Sequence, residues 1–293
     1  MGSRSSDQSV VAVDYRRPID VAALLDFFAR RAVPGVEEMV ERVYRRSVRL
    51  PHGAGVLELR ERRNGIEARL HLDDPRDTAS ATALCRALFD LDRDPRPIAA
   101  ALAADRVIGP LIRASPGRRV PGVVDPQELA FRAVLGQQVS LAGAATLAGR
   151  LVADCGERLK RPVGLVTHLF PTAAAVAALD PERLAMPASR RRALLGLAAA
   201  LASGQVVLDP GGDLEAARAA LLALPGIGPW TVEYVAMRAL RDPDAFLPTD
   251  LGVRHALVKL GLDGSPRAAA QLAEAWRPYR AYALQHLWAS LPS

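Results

Sequence analysis

Lysine is almost missing from this 293-residue chain: Lys160 and Lys259 are its only copies, and every other member of the 38 basic residues is arginine. Cysteine is as scarce. Cys85 and Cys155 lie far apart, which excludes a disulfide framework or a cysteine cluster. The five histidines, His52, His71, His168, His255 and His286, form no ligand-spaced pair with a carboxylate or cysteine, so the sequence offers no zinc or iron–sulfur site and requires no cofactor. Long apolar runs are absent too. Charges interrupt the alanine-rich stretches before they reach bilayer length, and Met1 to Gln8 is polar and serine-rich, so the chain reads as cytoplasmic with no membrane partner. Aromatics make up only 5% of the chain, yet Trp230, Trp276 and Trp288 all fall in its last third, with Tyr234, Tyr279 and Tyr282 among them.

Half of the residues are hydrophobic, enough at this length to bury a large core and to build two domains. A net charge of +6 favours a polyanionic partner. The arginine excess has two sources that composition leaves open: bidentate phosphate contacts, or a GC-rich genome. In the first third, Val10 to Asp14 and Ser47 to Leu50 have strand character, and Val56 to Arg60 and Ile66 to Leu72 alternate apolar with charged residues. Asn64-Gly65 is a hairpin turn. Two helices, about Val21 to Arg30 and Ser80 to Leu91, cover one face of this antiparallel sheet. From Pro97 onward apolar residues recur at helical spacing between proline and glycine breaks. The expected fold class is therefore α+β: a small N-terminal antiparallel sheet domain with two helices over residues 9–96, then an all-α domain over 97–293.

The most informative segment is Leu224-Pro225-Gly226-Ile227-Gly228-Pro229-Trp230-Thr231. Asp213 is placed to cap a helix over Leu214 to Ala223, Pro225 ends it, and Pro229 suits the first turn of the next. Gly226 and Gly228 lack Cβ, so the intervening backbone can turn sharply and bring its N–H groups against a phosphate. On the second helix Trp230 and Tyr234 share one face and flank one site, while Glu233 and Arg238 point elsewhere. Downstream, Asp250 follows Phe246-Leu247-Pro248-Thr249 and precedes the apolar-periodic Leu251 to Leu260, the position of a helix N-cap. Asp242 and Asp244 read as solvated turn residues beside Pro243.

The glycine-rich hairpin, Trp230, and an aspartate at the start of a later helix resemble the helix-hairpin-helix DNA glycosylase superfamily, most closely its AlkA-type 3-methyladenine-DNA glycosylases. The resemblance runs from about Asp14 to Trp288. It includes Leu24-Leu25-Asp26-Phe27-Phe28, Leu135-Gly136-Gln137-Gln138-Val139-Ser140, and Arg280-Ala281-Tyr282-Ala283 before Trp288. It implies that Asp250 is the catalytic carboxylate of N-glycosidic bond hydrolysis, a role that coexists with capping. It also implies that Trp230, Tyr234 and Trp288 form a stacking pocket for a flipped-out cationic base; Trp276, Tyr279 and Tyr282 are left to packing. The place of the lysine in bifunctional relatives is taken here by Trp230, so a monofunctional enzyme that leaves an abasic site is expected. Gln138 stands where the AlkA-type pattern has a leucine wedge, and is either the gap-filling residue or a polar turn residue. The resemblance further implies a monovalent cation held by backbone carbonyls near Leu222, Leu224 and Ile227. The expected partner is double-stranded DNA containing alkylated bases, bound by a monomer in base-excision repair. Two alternatives stay open: a superfamily glycosylase with a different base preference, and a non-catalytic helix-hairpin-helix DNA-binding protein.

Overall fold

The structure, a computed structural model, describes residues 8–63 and 65–291; Met1 to Asp7 of the serine-rich terminus, Asn64 of the expected hairpin turn, Pro292 and Ser293 lie outside the described residues. The N-terminal part is a five-stranded antiparallel sheet of β1 (Gln8–Val13), β2 (Glu37–Val40), β3 (Val43–Leu50), β4 (Gly53–Arg62) and β5 (Gly65–Leu72), in the order β1-β5-β4-β3-β2. Alternation sets its faces. In β5, Ile66, Ala68, Leu70 and Leu72 are buried against one layer, as period two requires. That layer is α1 (Val21–Ala29) and α2 (Thr78–Leu88). Val21, Leu24, Leu25 and Phe28 form the apolar stripe of α1 and join Ala81, Cys85 and Leu88 of α2 over Tyr44, Leu57 and Leu70. β2 escaped sequence reading because Glu37 and Glu38 head it, although both are buried.

Eleven further helices follow among the described residues: α3 (Pro95–Leu102), α4 (Ile108–Ala114), α5 (Pro126–Leu135), α6 (Leu141–Cys155), α7 (Ala173–Ala177), α8 (Ala188–Ala202), α9 (Leu214–Leu222), α10 (Pro229–Arg238), α11 (Leu251–Lys259), α12 (Pro266–Ala273) and α13 (Arg280–Ala289). None is long and apolar enough to cross a membrane. They enclose two apolar cores, one where α5, α6, α8 and α10 meet and one built by α11, α13 and the fully buried Trp276. The expectation of an all-α second domain needs correction. A hairpin of β6 (Arg158–Val163) and β7 (Val166–His168) interrupts the helices, and Leu159 and Val166 bury against Val56 on the sheet face that α1 and α2 leave uncovered. β6 reads Arg-Leu-Lys-Arg-Pro-Val, with no clean alternation and a proline, so its strand character comes from the sheet it covers.

A buried ionic cluster fastens the sheet to α5. Arg46 donates to Glu37 at 3.3 Å and to Glu128 at 2.7 Å, Arg132 donates to Glu37 at 2.9 Å and to Glu128 at 2.8 Å, and the Tyr44 hydroxyl donates to Glu37. Burial alone would raise the Glu37 carboxyl, but Arg132 and Arg46 outweigh it and hold it below the usual carboxylate range. Each charge is paired, as a buried charge must be.

Candidate functional site

The hairpin forms as local chemistry dictates. Asp213 accepts from Ala216 N–H at 3.0 Å and caps α9, and Pro229 occupies the first turn of α10. Gly226 has φ +84°, and a Cβ there would come within 2.7 Å of the Ala193 Cβ on α8, so glycine is required twice over. Gly228 is different: its φ is −100°, and an added Cβ would meet nothing within 4 Å. What glycine leaves at that position is open access to backbone. The Leu224 carbonyl accepts from Ile227 N–H at 3.1 Å, whereas no backbone N–H donates to the carbonyls of Leu222 and Ile227 among the described residues. Hard, uncommitted carbonyl oxygens of this kind fit a monovalent cation.

Beside the hairpin lies a cleft of about 1020 Å³. Its lining brings together Gly226 and Gly228, Trp230 and Tyr234 of α10, Asp250 at the start of α11, and the α5–α6 loop with Gln138. Sequence reading had taken Trp230 and Tyr234 as flanking one site. The rings instead stack on each other, with centroids 5.0 Å apart and planes at 10°. A base between them would need about 7 Å, two van der Waals spacings. The stacked pair therefore lines the cleft as one unit.

Asp250 caps α11: Oδ1 accepts from Val253 N–H at 3.0 Å. The same oxygen accepts from the Trp288 indole at 2.8 Å, and Oδ2 accepts from the Trp230 indole at 2.9 Å. Two tryptophans expected only to offer ring faces thus also fix the carboxylate through their N–H edges. Trp288 does not line the cleft; it packs in the C-terminal core and reaches Asp250 across Gly252, where a Cβ would come within 2.9 Å of its ring. Trp276 is fully buried, and Tyr282 is buried with its hydroxyl donating to Asp90 at 2.6 Å.

Gln138 is exposed at the loop tip on the rim of the cleft, with φ +57°, a strained conformation for this residue type. Its neighbour Gln137, which sequence reading left without a role, donates through Nε2 to the Gly226 carbonyl and the Thr231 hydroxyl, both at 3.2 Å, and ties this loop to the hairpin. The expectation that Arg238 points away from the aromatic pair is corrected. Arg238 follows Tyr234 by one helical turn, donates to its hydroxyl at 2.7 Å and lines the cleft. Arg31 of the N-terminal part and Arg132 of α5 line the same end. Burial would raise the Tyr234 phenol, but Arg238, Arg31 and Arg132 outweigh it and lower it. Among the described residues no lysine lines the cleft; Lys259 donates to the Ser290 carbonyl at 2.5 Å. Asp242 and Asp244, expected to be solvated, are ion-paired: Asp242 with Arg218, and Asp244 with Arg277 and with Arg280 at 2.9 Å.

A family model described as the AlkA N-terminal domain matches residues 10–125. The chain is 48% identical over 276 residues to the Mycobacterium tuberculosis probable bifunctional transcriptional activator/DNA repair enzyme AlkA, covering 94% of this chain and 56% of that protein. It thus spans little more than half the length of that relative. It is 36% identical over 282 residues to Escherichia coli DNA-3-methyladenine glycosylase 2, covering 94% of this chain and 95% of that one. The solved 3-methyladenine DNA-glycosylase of Archaeoglobus fulgidus shares the fold, with a TM-score of 0.80 at 21% identity over 96% of this chain and 97% of the other.

Proposed function

Because the chain belongs to the AlkA-type family of DNA-3-methyladenine glycosylases, we propose that it is a monofunctional DNA glycosylase, which flips an alkylated purine out of duplex DNA and hydrolyses its N-glycosidic bond. The observation that carries this reading is Asp250, a carboxylate held by two indole N–H groups and a helix N-terminus on the lining of an aromatic-walled cleft that Gly228 of the hairpin also lines.

The chemistry follows from charge. Alkylation at a ring nitrogen makes the purine cationic, so it leaves readily and the demand falls on the sugar, where positive charge grows at C1′. Asp250 faces that charge as a fixed anion and orients or deprotonates the attacking water. The base departs with the glycosidic electrons, and water supplies the oxygen that remains on C1′. Loss of the base leaves an abasic site for base-excision repair. A lysine would be needed to form a Schiff base with the sugar, and the cleft lining holds none, which supports the monofunctional reading.

The flipped base stacks on the Trp230–Tyr234 wall. Gln138, exposed and strained at the rim, enters the space left in the duplex, where its amide can hydrogen-bond the orphaned base. The hairpin grips the backbone through N–H groups around Gly226 and Gly228. A monovalent cation on the carbonyls of Leu222, Leu224 and Ile227 would add positive charge toward the same phosphate.

Asp250→Asn tests the reading. Asparagine keeps the shape and most of the capping ability, so the variant should bind abasic-site duplex normally and release no 7-methylguanine from methylated duplex. Release at near the wild-type rate removes Asp250 from the chemistry. Absence of release by the wild-type protein would instead leave a non-catalytic duplex binder.

A further inference from the structure

The loop between α5 and α6 runs from Gly136, which closes α5, to Ser140, which caps α6 by accepting from Gly143 N–H at 3.1 Å. At its tip Gln138 holds φ +57° and Val139 is exposed. Among the described residues, the only hydrogen bonds from this loop to another element come from the Gln137 side chain. Its Nε2 donates to the Gly226 carbonyl and to the Thr231 hydroxyl, both at 3.2 Å. The two acceptors bracket Gly228: Gly226 turns the hairpin at φ +84°, and Thr231 is buried in the first turn of α10. A primary amide has two N–H bonds, and here each has its acceptor within the protein. Gln137 lines the cleft, but its donors are already committed to the hairpin.

We propose that Gln137 is a positioning residue, which holds the loop carrying Gln138 in fixed register with the hairpin, so that gripping the backbone and holding the duplex open act together. An extruded base needs two things from the protein at once: a hold on the phosphates and an occupant for the vacated space. The hairpin and the loop that supply them in the proposed reading are 89 residues apart in sequence, and no backbone hydrogen bond joins them among the described residues. The left-handed conformation of Gln138 persists only while surrounding contacts over-determine it. Without the Gln137 bonds the loop relaxes and its tip loses register with Gly228, and an error of about 1 Å in such a placement is costly. The inference rests on the proposed contact of hairpin and loop with duplex DNA, but it concerns binding rather than bond cleavage, and the two can fail separately.

Gln137→Met keeps the length and bulk of the side chain and removes both donors. Two duplexes that differ only in one abasic site serve as the probes, and affinity is read by fluorescence anisotropy. The wild-type protein should prefer the abasic-site duplex. In Gln137→Met that preference should fall about tenfold, the scale of two net hydrogen bonds. Affinity for the undamaged duplex should stay within about twofold, because the turn at Gly226 is made by the hairpin itself. Thr231→Val keeps nearly the same shape, removes one acceptor and should lower the preference about threefold. The double variant should match Gln137→Met alone, since the bond that Thr231→Val removes is already gone. No abasic-site preference in the wild-type protein, or a preference unchanged in Gln137→Met, overturns the proposal. Equal weakening on both duplexes also overturns it, by reducing Gln137 to a part of the fold. Thr231→Val without effect, or additive with Gln137→Met, overturns it in favour of a direct contact between Gln137 and DNA. A preference that depends on both residues, together with no release of methylated bases by the wild-type protein, would retain this inference and reject the proposed reaction.

Discussion

Replacing Trp230 by phenylalanine separates two roles that the indole combines. Its face is part of the stacking wall with Tyr234, at 5.0 Å and 10°, and a phenyl ring preserves most of that surface. Its N–H, 2.9 Å from Oδ2 of Asp250, is lost outright. A hydrogen bond to a charged group contributes roughly 1.5–3 kcal/mol net. If that bond orients the carboxylate toward the sugar, its loss lowers the chemical step by about 10- to 150-fold, at 1.36 kcal/mol per factor of ten. Oδ1 keeps Val253 and Trp288, so the carboxylate stays on α11 but is free to rotate away from its productive orientation. The assay is single-turnover release of 7-methylguanine, with affinity for abasic-site duplex measured on the same protein. Slow release with nearly unchanged affinity is expected, and Trp230→Ala should lose both. Release at the wild-type rate by Trp230→Phe would refute the idea that the indole N–H aims the carboxylate.

Gly228→Asp places a Cβ in open space, so the unfolding midpoint should not move, while a carboxylate beside the hairpin N–H groups should weaken binding to all duplexes alike; titration with undamaged duplex checks this, and normal binding takes Gly228 off the DNA interface. Burial pushes buried His286 down to about 4, with Arg118 adding to the effect and a hydrogen bond to the Leu111 backbone carbonyl opposing it. The unfolded chain therefore takes up this proton first as pH falls, and the contribution of His286, full above about pH 6.5, is lost on the way to pH 4. Urea unfolding should show a loss of about 3 kcal/mol over that window that His286→Gln no longer shows; identical pH profiles for the two proteins would be the contrary result.

Several parts of this protein were legible one residue at a time. The caps Asp213 and Asp250, the proline that opens α10, the positive-φ glycine of the turn, and the shared face of Trp230 and Tyr234 depend on spacings of one to four residues, and helix geometry converts such spacings into positions. The alternation in β5 and the stripe of α1 were equally local, whereas β4, covered on both faces, is buried from Gly55 to Leu59. The sheet class, the run of helices and the hairpin came from these periodicities alone. The assignment of Asp250 to chemistry did not, since its local pattern is that of any capping aspartate.

Packing between distant segments decided the rest. Trp288 reaches Asp250 from 38 residues away, and only the stacking of α13 on α11 directs its N–H there rather than its face toward a ligand. Arg31 and Arg132 become walls of a cleft whose chemistry lies on α10 and α11 because the Glu37–Arg46–Glu128 cluster holds the sheet against α5. Hairpin β6–β7 is a pair of strands because an apolar sheet face needed covering, against what Lys160, Arg161 and Pro162 prefer locally. Whether two aromatics one turn apart stack together or part to admit a base is fixed by the side chains that surround them. Local sequence sets where a side chain starts and along which face it runs, whereas the partner that meets its polar edge is a property of the assembled core.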